Sequence, residues 1–172
     1  MSGVDGRPGE GSAAGQASVA TGEGSAAVAV RPIAAGDREA WGRLYRGYRD
    51  FYGKPHDPAI YDTVWAWLMD PAHETRCLIA EVDGRAVGIG HYRRFARPID
   101  GGCGLYLDDL FTAPEARGTG AASAILQRLE EIGREEGAAL VRWITAESNT
   151  TARSLYDRLA TQTPWVTYDI PL

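Results

Sequence analysis

Residues 114–123 read PEARGTGAAS, an arginine and two near-adjacent glycines between the apolar stretch GLYLDDLFT and a segment of helical periodicity. A helix beginning there leaves its first backbone N–H groups without intrahelical acceptors and presents the positive end of its dipole, which suits an anion, most often a phosphate. Gly118 and Gly120 keep Cβ atoms away from such a ligand and permit positive φ, and Arg117 can complement its charge. The ligand implied is a nucleotide or a coenzyme. No lysine follows Gly120, which removes the P-loop, and a dinucleotide fingerprint requires a glycine or alanine where Ser123 stands. Taken alone, the stretch also reads as a glycine turn that lets helix and strand approach closely.

Two further groups could do chemistry. Asn149 and Tyr156 stand seven residues apart in NTTARSLYDRLA. Asparagine is a natural helix N-cap, and a phenol, with its ordinary pKa of about 10, stays protonated at neutral pH and can deliver that proton. On periodicity alone, Tyr156 equally suits the core face of an amphipathic helix. Asp108 and Asp109 are adjacent in YLDDLF, and successive strand residues face opposite ways, so only one of them can point into a site on a regular strand. Cys77 and Cys103 form no CxxC pattern and read as small buried apolar residues. His56, His73 and His91 have no ligand spacing, so no metal is expected.

These groups need elements to position them. Ala27 to Ile33 alternates like a short strand, and Gly36 with Asp37 punctuates the chain and caps a helix after it. Trp41, Leu44, Tyr45, Tyr48 and Tyr52 recur at helical spacing; a second helix starts at Asp57-Pro58, with Tyr61, Val64, Trp65 and Leu68 on one face. Arg46 and Arg49 read as a solvated face. RCLIAEV and RAVGIGHYRRF are joined by Asp83-Gly84, a two-residue hairpin turn. GLYLDDLFT is a strand, and the helix after the glycines carries a stripe of Ala122, Ile125, Leu126, Leu129 and Ile132 until Gly137 stops it. ALVRWIT is a further strand, Asn149 to Leu159 a short helix, and WVTYDI an alternating last strand. The order describes an α/β layer with helices on both faces.

Read together, residues 28–172 resemble the GCN5-related N-acetyltransferase family, closest in pattern to its diamine and polyamine acetyltransferase-like branch. In that family a strand precedes an arginine or glutamine, two spacers, a glycine, a spacer and a glycine or alanine; Arg117-Gly118-Thr119-Gly120-Ala121-Ala122 matches position by position. Asn149, Ala152, Leu155 and Tyr156 match the second motif, while the usual glycine-phenylalanine after it is replaced by Ala160 and TQTP. The resemblance implies a mixed, mostly antiparallel central sheet whose two central parallel strands, here YLDDLF and LVRWIT, splay apart. It implies acetyl-CoA as co-substrate, with the pantetheine amides pairing with the backbone of Leu110, Phe111 and Thr112. The pyrophosphate then lies on residues Arg117, Gly118, Thr119, Gly120, Ala121, Ala122 and Ser123, and Asn149 and Ala152 also hold the coenzyme. Tyr156 becomes the proton donor to the departing thiolate. Asp108 becomes the base or substrate anchor, where the branch more often carries glutamate, and Asp109 an ion-pair or turn partner. Tyr45, Tyr48 and Tyr52 become candidates for the acceptor wall, against a core role for the same spacing.

No cysteine follows the pattern of a covalent acyl carrier, so direct attack in a ternary complex is expected. The acceptor implied is a primary amine of a small cationic molecule: a diamine, a polyamine or an amino acid derivative. A protein N-terminus or lysine side chain is the alternative acceptor, and a non-catalytic CoA-binding sensor or interaction module the alternative of another class. With 18 basic and 23 acidic side chains among 172 residues the net charge is −5, which disfavours a nucleic-acid partner. No apolar run approaches membrane-spanning length, and no signal-peptide pattern opens the chain, so a cytoplasmic protein is expected. The resemblance also allows a homodimer, since that family often dimerises. Residues 1–26 hold seven of the 21 glycines and no leucine, isoleucine or aromatic residue, and read as a disordered leader before an N-acetyltransferase domain over 27–172.

Overall fold

β1 (Val28–Pro32), β2 (Thr75–Val82), β3 (Arg85–Arg97) and β4 (Gly102–Thr112) run antiparallel in sequence order, and β5 (Val141–Arg142) adds parallel to β4. The computed structural model describes residues 27–172; the expected leader at 1–26 lies outside the described residues. The β2–β3 hairpin turns where expected, with φ of 51° at Asp83 and 73° at Gly84, the pair of positive values that matches strand twist.

Two helices cover one face of the sheet: α1 (Arg38–Phe51) and α2 (Pro58–Met69). Asp57 caps α2 by accepting from the Ala59 N–H at 2.9 Å. Asp37 does not cap α1 with its side chain; its carboxylate accepts from the Ala34 N–H and pairs with Arg31, a charged partner that outcompetes the helix amides. The other face carries α3 (Ala121–Glu135), and α4 (Thr150–Leu159) follows β5. Because strand side chains alternate, Leu78 and Ile79, both 0 % exposed, enter opposite cores: Ile79 joins Trp41, Leu44, Ile89 and Phe111, and Leu78 joins Leu105, Ile125 and Leu129. Truncating a fully buried member such as Leu129 to alanine costs about 2–5 kcal/mol on general grounds.

α1 lies directly on β4. A Cβ on Gly47 would stand 2.6 Å from Phe111 Cζ, so only glycine lets the helix approach this closely. Arg49, read from sequence as solvated, is buried. Its guanidinium donates to the Pro55 carbonyl and lies over the rings of Tyr45 and Tyr61, which replace water around the charge.

The late chain departs most from expectation. The strand expected over ALVRWIT shrinks to Val141–Arg142, and WVTYDI forms no strand at all. Its alternation encodes a strand, but a strand exists only where a ladder partner is met. Ala160 at the end of α4 is extended (φ −145°) rather than left-handed, so the chain runs on instead of folding back over the sheet. Trp165, Val166, Tyr168 and Ile170 all stand exposed.

Candidate active site

The parallel pairing of β4 and β5 ends at Tyr106–Arg142. From Leu107 onward β4 keeps β3 on one side and pairs with no strand on the other, while Trp143, Ile144 and Thr145 diverge from it. The gap opens into a cleft of about 520 Å³ that also reaches the start of α3, the inner face of α4 and the end of α1.

Leu110, Phe111 and Thr112 line the cleft from β4, with one backbone edge unpaired. The Thr112 Oγ1 is buried there without a hydrogen-bond partner. At the floor, Gly118 and Gly120 have φ of 86° and 91°, values that exclude other residues without strain, and nothing lies within 4 Å of where their Cβ atoms would stand. The first α-helical bond of α3 runs from Ala124 N–H to Gly120 C=O, so the N–H groups of Ala121, Ala122 and Ser123 precede the ladder, and no side chain caps them. Arg117 lines the same end. Thr119 does not line the cleft; its hydroxyl turns back to donate to the Ala116 carbonyl at 2.8 Å.

α4 supplies the opposite wall. Asn149 Oδ1 accepts from the Ala152 N–H, capping the helix, while its Nδ2 donates to Thr145 Oγ1, and both Asn149 and Ala152 face the cleft. One helical turn on, Tyr156 packs edge-on against Trp143, with ring centroids 5.3 Å apart. Burial pushes the Tyr156 phenol above its ordinary value, and the nearby Tyr52 adds to the shift, so this group is protonated at neutral pH.

The aspartates separate through a bulge. His91 faces Asp109 and Tyr92 faces Leu107, which leaves Asp108 as the extra, unpaired residue of β4. Asp108 lines the cleft, and Arg93 Nε donates to it at 3.3 Å. Burial lifts its carboxyl above the usual aspartate range, with Arg93 pulling the other way. Asp109 turns toward α1, where His91 Nδ1 bonds its Oδ2 at 2.7 Å. Burial works to raise Asp109, but the contacts with His91 and Tyr48 hold it below the ordinary value. For His91, burial opposes a second proton while Cys77 and Asp109 favour it, and the hydrogen-bond geometry decides for the neutral ring. The Trp41 indole, a donor only, points at Nε2 from 2.9 Å, so that nitrogen keeps its lone pair and the single proton sits on Nδ1.

The three tyrosines of α1 part company. Tyr45 is a core residue, 7 % exposed and stacked on Trp41, and does not line the cleft. Tyr48 and Tyr52 do line it, beside Phe51. Sequence reasoning missed Phe51, Trp143 and Arg158, which also line the cleft, and the His91–Asp109 pair; Leu155 of the second motif lines it as well. The pair becomes visible only with the β3–β4 register; Phe51, seven residues after Leu44, falls at the edge of the α1 stripe and carries no separate signal in the sequence.

Residues 41–160 match the acetyltransferase (GNAT) family. The chain is 27 % identical over 143 residues to the D-amino-acid N-acetyltransferase HPA3 of Saccharomyces cerevisiae, covering 82 % of this chain and 89 % of that one. It is 31 % identical over 94 residues to the thialysine N-epsilon-acetyltransferase of Bos taurus, a match spanning 50 % of this chain and 55 % of the other. Among solved structures, an aminoglycoside N-acetyltransferase in complex with CoA superposes with a TM-score of 0.73 at 18 % identity, over 89 % of this chain and 98 % of that one.

Proposed function

The chain belongs to the acetyltransferase (GNAT) family, and from that premise we propose that it moves an acetyl group from acetyl-CoA to the primary amine of a small cationic molecule, by direct attack in a ternary complex. The observation that carries the reading is the meeting, in one cleft, of a free β4 edge, an uncapped helix start and a protonated phenol. The α3 amides and Arg117 suit the pyrophosphate, and the backbone of Leu110 to Thr112 suits the pantetheine amides. Gly118 and Gly120 leave open space where Cβ atoms would crowd such a ligand.

Three jobs remain for side chains at the thioester. An aliphatic ammonium must lose a proton before attack, and Asp108, with its raised proton affinity, is the acceptor of that proton directly or through water. As the C–N bond forms and the C–S bond breaks, the Tyr156 hydroxyl gives its proton to the departing thiolate. Tyr48 and Tyr52 border the amine. The relatives named for D-amino acids and thialysine favour amino acid derivatives among the acceptors, beside diamines and polyamines.

The test is release of free thiol from acetyl-CoA across a panel of amines. Turnover with a small amine supports the reading, and coenzyme binding without turnover on any amine rejects it in favour of a binding module. The buried free thiols Cys77 and Cys103 suit a reducing compartment, in keeping with a cytoplasmic enzyme. The exposed apolar alternation of Trp165 to Ile170 favours a homodimer, checked by mass in solution.

A further inference from the structure

The acceptor end of the cleft has a chemistry of its own. Phe51 and Tyr52, at the end of α1, are 58 % and 49 % exposed and meet edge to face, with ring centroids 5.0 Å apart and planes at 82°. Tyr48 continues the row, 5.0 Å from Tyr52 at 61°. All three line the cleft, and packing alone gives Phe51 no reason to stand in water there. The charges around them are as informative. Asp108 is the single carboxylate among the lining residues and is already paired with Arg93.

A polyamine needs a partner for each ammonium, and here a second ammonium would find no further carboxylate among the lining residues. One ammonium can be served by Asp108; an apolar body can be served by the aromatic row, which gains by losing its contact with water. We propose that the acceptor is a primary monoamine bearing an aromatic or bulky apolar body, with the amine directed to Asp108 and Tyr156 and the body resting on Phe51 and Tyr52. The proposal rests on the acetyltransferase reading and narrows its acceptor class: polyamines become poor substrates.

Exposed rings also attract cations, so the experiment must let a diamine win. Initial rates of thiol release from acetyl-CoA would be compared for phenethylamine, tyramine, propylamine, 1,4-diaminobutane and spermidine. The arylalkylamines are expected to exceed both polyamines in kcat/KM by about tenfold or more. In Phe51→Ala the ratio of phenethylamine to propylamine should fall about tenfold, mainly through KM, and Phe51→Tyr should restore it. Phe51 is exposed, so these variants are expected to fold, checked by circular dichroism. A higher kcat/KM for 1,4-diaminobutane or spermidine, or a ratio that Phe51→Ala leaves unchanged, overturns the aromatic acceptor while leaving the acetyltransferase intact. Turnover with none of these five amines overturns the aromatic acceptor, and turnover with none of a panel widened to amino acid derivatives overturns the acetyltransferase reading with it.

Discussion

The two ends of the cleft are built from different materials. At the α3 end, backbone does the holding: positive-φ glycines, uncapped amides and an unpaired strand edge. At the α1 end, side chains do it, and they stand on the same helix whose other residues, Trp41, Leu44 and Tyr45, fill the core. A backbone site demands particular residues at particular places, because only glycine takes those φ values without strain. A side-chain site on a packed helix uses the aromatic residues a core would use, at the spacing a core would have. The first leaves a pattern in sequence; the second leaves almost none.

The sharpest way to break this division is at the point where the two ends meet. Tyr156→Phe keeps the ring and removes the proton, so turnover should fall about 100-fold, within the range of general-acid contributions, with coenzyme affinity nearly intact. An unchanged kcat, with chemistry limiting, would return Tyr156 to a packing role. A somewhat smaller effect is expected at the backbone end. Gly120→Asp puts a carboxylate among the phosphate-binding amides and should weaken acetyl-CoA binding by at least about 2 kcal/mol, roughly 30-fold, by calorimetry. Gly120→Ala carries the same positive-φ strain without the charge; if both variants lose equally, strain and not anion binding explains the glycine.

At the side-chain end, Asp108→Asn should cut kcat/KM about tenfold or more at neutral pH, with the gap closing in acid, where the wild-type carboxyl is itself protonated. The wild-type carboxyl is raised, so its basic form fills in as pH rises through that raised value, and the variant should lose this rise. An identical pH profile in both proteins would show that Asp108 does not take the proton. The smallest effect belongs outside both ends. Arg31 holds Asp37 below the ordinary aspartate value. A group depressed in the folded state contributes stability above its unfolded pKa and loses it as pH falls through the folded one. Asp37→Asn should therefore cost less than about 1 kcal/mol at neutral pH, since the pair is partly solvated, and should narrow the gap to wild type in acid, read as melting temperature against pH. No change in thiol release at neutral pH is expected.

Legibility in the sequence divides along the same line. The Asp83-Gly84 turn, the Asp57 cap and the glycine junction each rest on a local backbone requirement, and each is formed. The burial of Arg49 is hidden in the sequence because two of its partners, the Pro55 carbonyl and the Tyr61 ring, come from outside α1. Asp108 and Asp109 are separable by strand parity, yet the bulge that frees Asp108 is a property of the β3–β4 register. WVTYDI shows the limit most plainly: alternation states what a segment could pair as, and only a neighbouring edge decides whether it does.

Gly47 sets a limit of another kind. With no room for one methyl group between α1 and the Phe111 ring, the spacing of that helix from β4 is a fixed dimension of the molecule. The next residue, Tyr48, lines the cleft, and so does Phe111 itself. Substrate range in such a scaffold can drift through what α1 projects, residue by residue, while the width of the jaw stays the same: it diversifies by decoration and not by displacement.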